Sequence, residues 1–211
     1  MDCWVGRGTV VEITADKGSK QELKVLIDNK DEKAVNFPSL TGRCEAGDEV
    51  ILNTTGVSLG LGSGGFHFVM GIVGKECQPS PGAGHIVKLR YTPSQGRVLS
   101  VEEPDSPFHG IFSSEASITG MPVAVGSLHS MLAPVCIGFK HLNPEGRIVY
   151  LMSDGACLPL ALSDTVQTLL ERGLLDDTIT FNHAFGGHYE AVNVYSALLA
   201  ARHVCSADAA V

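Results

Sequence analysis

The chain has 211 residues, 44% of them hydrophobic, an ordinary globular composition that allows one large domain or two small ones. Its 23 acidic residues outnumber 15 basic ones, for a formal net charge of −8, and no cluster of Lys and Arg offers a nucleic-acid footprint. A solvated surface accounts for the acidity.

Six cysteines, Cys3, Cys44, Cys77, Cys136, Cys157 and Cys205, are scattered without a CxxC pair, and the start MDCWVGRG has no apolar signal core. Thiols in such a chain are expected to stay reduced, which points to the cytoplasm. Residues 116–139 carry no Lys, Arg, Asp or Glu, long enough to span a bilayer. Glycines and prolines interrupt the run, so a buried parallel strand and a buried helix are the expected explanation rather than a membrane.

The first half reads as β-structure. Apolar, β-branched or alternating segments occur at residues 8–13, 23–27, 49–54, 65–73, 85–91 and 97–101, divided by Gly, Pro and Asn turns. That spacing predicts a small barrel or sandwich over residues 1–103. The glycine-rich piece at 60–65 invites a phosphate-loop reading. A strand follows it where a dinucleotide loop needs a helix, so a hairpin connection is expected. Lys88 and Arg90 lie two apart on one predicted strand and point the same way; they either hold an anion or form a solvated face. Residues 104–120, with Pro104, Pro107, Gly110 and several serines, read as a linker.

From Met121 the pattern changes to strand, corner, helix, three times over. The predicted strands are 122–125, 148–152 and 178–181. The second is apolar throughout, as for a strand covered on both faces. Pro134 suits a helix start and predicts a helix from there to about residue 142. Ser163 is the expected N-cap of the next helix and Gly173 its stop. The last helix is placed after Gly187, with Val192, Tyr195 and Leu199 on one face. Residues 207–211 read as the start of a fourth strand, either at the sheet edge or in a chain that is part of a longer protein. The expectation is a parallel-sheet α/β module of Rossmann-like kind over 121–211, incomplete at its end.

In an open parallel sheet the strand-to-helix corners share one edge, where ligands bind. The corners would gather Ser127, His129, Ser130, Asp154, Cys157, His183, His188 and Glu190. Three chemistries fit those residue types. A divalent metal would take His183, Glu190 and Asp154 and activate water. A nucleophile, Ser127 or Cys157, would be activated by His129 or His183 with Asp154 orienting the base. An anion would sit on open backbone N–H groups at Gly186 and Gly187, helped by Lys88 and Arg90. Beside these stand plain structural roles: a turn at Asp154, a capping serine at Ser127, a histidine on a buried carbonyl.

The segments LNTTGVSLGLGSGGFHFV, GHIVKLRYTP, GSLHSMLAPV, HAFGG and EAVNVYSALLAARHV resemble a bacterial family catalogued as a domain of unknown function. The resemblance spans residues 52–204. It implies a bacterial protein with no assigned activity, substrate or cofactor, whose relatives continue past the equivalent of Val211. An acidic residue tends to stand in that family where this chain has His188, which leaves His183 and Glu190 as the better ligand candidates.

The leading expectation is a cytoplasmic enzyme, such as a hydrolase, acting on a small polar or anionic molecule at the α/β corners. The alternatives are a non-catalytic anion-binding or regulatory module, and an assembly protein that forms homo-oligomers through a sheet edge at residues 209–211.

Overall fold

The computed structural model describes residues 2–62, 64–77, 82–113, 116–156 and 158–211. The chain divides into two compact units, Met1–Pro81 and Gly82–Val211.

The first unit is a closed five-stranded barrel. Its elements are β1 (Val5–Asp16), β2 (Gln21–Ile27), β3 (Lys30–Asn36), the single turn α1 (Pro38–Thr41), β4 (Glu49–Asn53), the single turn α2 (Thr55–Ser58) and β5 (Phe66–Ile72). The strand order is β1-β2-β3-β5-β4, with β3 and β5 parallel and the other pairs antiparallel. This is the Greek-key connectivity of OB-type barrels. β1 closes the barrel by pairing with both β2 and β4, bending at two bulges. Gly8 lies ahead of those bulges, opposite Val50 of β4, where a Cβ would meet the Leu26 carbonyl at 3.1 Å.

Alternation puts Val10, Leu23, Val25, Ala34, Val50, Leu52, Val69 and Ile72 inside the barrel. Asn36 donates to Gln21 Oε1 at 3.0 Å and to the Gly42 carbonyl at 2.8 Å, and Gln21 donates to the Cys44 carbonyl at 3.3 Å, so these buried amides are satisfied. β3 has no counterpart among the expected strands; Lys30, Asp31, Glu32 and Lys33 lack the apolar alternation that marks one. The signal was next door: Asp28 and Asn29 both take left-handed φ, 47° and 62°, as a two-residue hairpin requires.

The second unit begins with a hairpin, β6 (Ile86–Lys88) and β7 (Gly96–Val98), and a single turn, α3 (His109–Phe112). There follow α4 (Leu132–Leu142), β8 (Ile148–Met152), α5 (Asp164–Glu171), β9 (Asp177–Thr180), β10 (Tyr189–Glu190), α6 (Val194–His203) and β11 (Ala209–Ala210). The four strands β10-β9-β8-β11 form one parallel sheet. Isolated parallel bridges extend it, Ser100 beside Glu190 and Val123 beside Ala210. Val149 and Ile179 pack on one side with Ala197, Ala200 and Ala201 of α6. Ile148, Tyr150 and Met152 pack on the other with Leu132 and Cys136 of α4 and Val166 and Leu169 of α5. β8 is therefore apolar on both faces because helices cover both faces.

Several expectations change. Residues 82–103 lie in the second unit, since Val101 joins the core with Ile179. Residues 104–120 are no free linker over their described part: Phe108, Phe112 and Ile118 pack on that core, and Phe108 meets Tyr189 edge to face at 5.7 Å. Residues 122–125 contribute one bridge rather than a full strand. The uncharged run was expected to be buried, yet Val125 is 90% and Leu128 66% exposed. α6 buries Ser196, Ala197, Ala200 and Ala201, while Tyr195 is 77% exposed. Small residues bring this helix close to the sheet, which the larger, more exposed set at 192, 195 and 199 would not. β11 pairs with β8 on one side and is bridged on the other, where Ala210 donates to the Pro122 carbonyl; Val211 donates to the Val149 carbonyl. Among the described residues no helix is long and apolar enough to cross a membrane.

Candidate functional site

The parallel strands of the second unit all end at one rim, and a cavity of about 590 Å³ opens there. Tyr150, Leu151 and Ser153 at the end of β8, Phe181 after β9 and Val211 after β11 form its floor. The segment from Val123 to Leu132 and the first turns of α6, through Val194 and Leu198, form its walls. This is the edge at which ligands enter open parallel sheets.

His129 is the titratable imidazole of the cavity lining. It stands in a 3-10 turn, His129–Met131, just before α4. Its Nδ1 lies 3.1 Å from the Tyr150 hydroxyl and its Nε2 lies 2.6 Å from Ser163 Oγ. Ser163 also caps α5, accepting from the Val166 N–H at 3.1 Å. Burial pushes the His129 imidazole below its ordinary pKa, so the ring is neutral near pH 7. A neutral imidazole has one donor and one acceptor, and two hydroxyls can serve both. One side chain thus ties the 3-10 turn, β8 and α5 together at the cavity wall.

Of the nominated residues, Ser127 and His129 share this cavity. No hydrogen bond joins them; the ring nitrogens of His129 face Tyr150 and Ser163 instead. Asp154 is exposed and does not line the cavity, although Ser153 and Gly155 do. It occupies a turn in which the Gly155 N–H donates to Ser153 Oγ at 3.2 Å. Ser130 is exposed and Cys157 lies outside the described residues. His183 stands away from the cavity lining, with Nδ1 buried and unpartnered among the described residues. His188 pairs with Asp177 at 2.9 Å. Among the described residues no three His, Cys, Asp or Glu side chains are placed to hold a metal ion, so His183, Glu190 and Asp154 do not form the expected set. Buried Cys136 and Cys205 are equally poor nucleophiles, their thiols pushed up to about 11 and about 12 by burial.

The expected anion corner is occupied by the protein itself. After β9 the chain does not enter a helix; it turns and returns as β10, parallel to β9. The Gly186 N–H donates to Glu190 Oε1 at 2.7 Å, the Gly187 N–H to Thr180 Oγ1 at 3.1 Å and the His188 N–H to Thr178 Oγ1 at 3.0 Å. Gly187 passes so close to β9 that a Cβ would meet the Thr180 nitrogen at 2.9 Å. Lys88, 2% exposed at its side chain, pairs with Glu190 at 3.1 Å and donates to the Ala191 carbonyl at 3.2 Å. Burial raises the pKa of the Glu190 carboxyl, against the opposing pull of Lys88, Gly186 and Thr180. Arg90 is exposed and belongs to no strand, since β6 ends at Lys88 and Leu89 takes φ 51°. The two cations expected to act together are therefore separated by a reversal of the chain.

Tyr150 and Ser163 are the site residues that the sequence reading left in purely structural roles. Tyr150 carried a signal, a hydroxyl inside the otherwise aliphatic strand Ile148–Met152, which needs a partner when buried. A family model described as a protein of unknown function (DUF3866) matches residues 33–211. No curated protein and no solved structure matches the chain.

Proposed function

We propose for this chain, which belongs to the family described as a protein of unknown function (DUF3866), that its α/β unit binds a small molecule in the cavity at the strand ends, beside the His129 ring. The observation that carries this reading is a neutral imidazole, held by Tyr150 and Ser163, in the wall of a cavity of about 590 Å³. That volume falls in the range of ligand sites, which combine apolar walls with a few oriented polar groups. A parallel sheet with helices on both faces and its cavity at the strand ends also favours a doubly wound, Rossmann-like arrangement of the unit.

The geometry supports binding better than hydrolysis. A serine nucleophile needs the imidazole for its own proton, and His129 spends both nitrogens elsewhere. The test is a small-molecule library screened by thermal shift on the 211-residue chain and on Ala124→Trp, which places an indole in the cavity wall. Ligands of this site raise Tm of the parent and not of the variant. If the library yields only ligands that stabilise both equally, the cavity is not the binding site.

A further inference from the structure

We propose that the occupant of this cavity is an uncharged molecule with an apolar body and one hydrogen-bonding group that meets the lining hydroxyls of Ser127, Ser153 and Tyr150, beside the His129 ring. The proposal rests on the reading that the cavity is a binding site and adds the chemical class of its ligand.

Four observations converge on it. First, among the described residues no Lys, Arg, Asp or Glu lines the cavity. A charged ligand would leave water without a counter-charge, and an unpaired charge in an apolar site is strongly disfavoured. Second, the imidazole there offers no net charge, because burial holds His129 neutral and hydroxyls flank both nitrogens. Third, α6, one of the two helices that reach the cavity, does not present its N-terminus to an anion. The Tyr195 and Ser196 N–H groups of α6 both donate to Asn193 Oδ1, at 2.9 and 3.2 Å. That cap consumes donors that anion sites at helix ends use. Fourth, the rim is apolar as well as the floor: Val125 and Leu128 are mostly exposed, with Met131 and Val194 at 41% and 39%. Apolar surface gathered around a cavity mouth favours a ligand that covers it.

The remaining polar atoms set the head group. Ser127, Ser153 and the His129–Tyr150 pair are the hydroxyl and imidazole groups of the lining. They match an alcohol, phenol, ketone or amide better than a carboxylate or an ammonium. This replaces the expected polar or anionic ligand, whose assumed anchors Lys88, Gly186 and Gly187 are already paired within the protein.

Three probes of one shape separate the alternatives: 2-naphthol, 2-naphthoate and 2-naphthylmethylammonium at pH 7, titrated into the 211-residue chain. Affinity is read from Tm and from the His129 imidazole resonance in NMR. The expected result is that 2-naphthol raises Tm, moves the His129 resonance and binds at least tenfold tighter than either ion, with the effect lost in Ala124→Trp. Equal or tighter binding of either ion that moves the His129 resonance overturns the ligand class while the site stands. If no probe moves that resonance, both the ligand class and the site reading fall.

Discussion

The barrel and the α/β unit each hold a histidine whose pKa is lowered by burial, His67 buried and His129 half-buried, and His129 borders the cavity at the strand ends. His67 lies inside the barrel, opposite Ala34 in the register, 5% exposed and with Nδ1 unpartnered among the described residues. Burial is the main cause of its lowered pKa, opposed by the charge of Glu32. His129 has hydroxyls at both nitrogens and open space beside it. A shifted pKa alone therefore does not mark a site. What distinguishes His129 is that its ring is oriented by neighbours and reachable by a ligand. The barrel fills its interior with packed side chains and the hydrogen-bonded Gln21 and Asn36 amides; the α/β unit has a cavity at its strand ends.

The same contrast can be broken at its strongest point. Lys88→Met leaves Glu190 buried without its cation and is expected to destabilise the α/β unit by about 3–5 kcal/mol, measured by denaturant unfolding. Adding Glu190→Leu should recover much of that loss. A single variant as stable as the parent would show that the pair is not buried as described. Gly187→Ala drives a methyl against the backbone of β9 and should cost about 1–3 kcal/mol, read from the same curves. Ser163→Ala removes the N-cap of α5, for a loss of about 1 kcal/mol. It also releases one His129 nitrogen, so the His129 resonance should change while that of His67 stays put.

Acid titration sharpens the comparison of the two histidines. In the unfolded chain each takes its proton near 6.5, and in the folded protein each takes it at lower pH. The stability each contributes as a neutral ring is full above about pH 6.5 and is lost as the pH falls below it. His67→Phe should flatten the part of the acid slope that belongs to the barrel. A cavity ligand should shift the titration of His129 and leave that of His67 unchanged; NMR of the two imidazoles reads both.

Residue order alone was enough for the plan of barrel first and parallel α/β second, for the two-sided burial of Ile148–Met152, and for the cap at Ser163 and the stop at Gly173. Those features rest on short-range physics: side-chain period, free N–H groups at a helix start, and left-handed φ at its end, 64° at Gly173. The site was legible only in part. Ser127 and His129 line the cavity at the strand ends; Asp154 follows β8 on the way to α5 but lies outside the lining, and His183 and the Gly186–Gly187 corner were drawn there by the assumption that the chain after β9 enters a helix. β10 broke that assumption, because the chain between Phe181 and His188 is short and its N–H groups are taken by Thr178, Thr180 and Glu190. Only the tertiary structure decided that Lys88 meets Glu190 rather than a ligand, and that His129 meets Tyr150 and Ser163 rather than Ser127. Such partnerships join residues far apart in the chain, and the choice among chemically equivalent partners depends on strand order and helix placement, which local pattern does not encode.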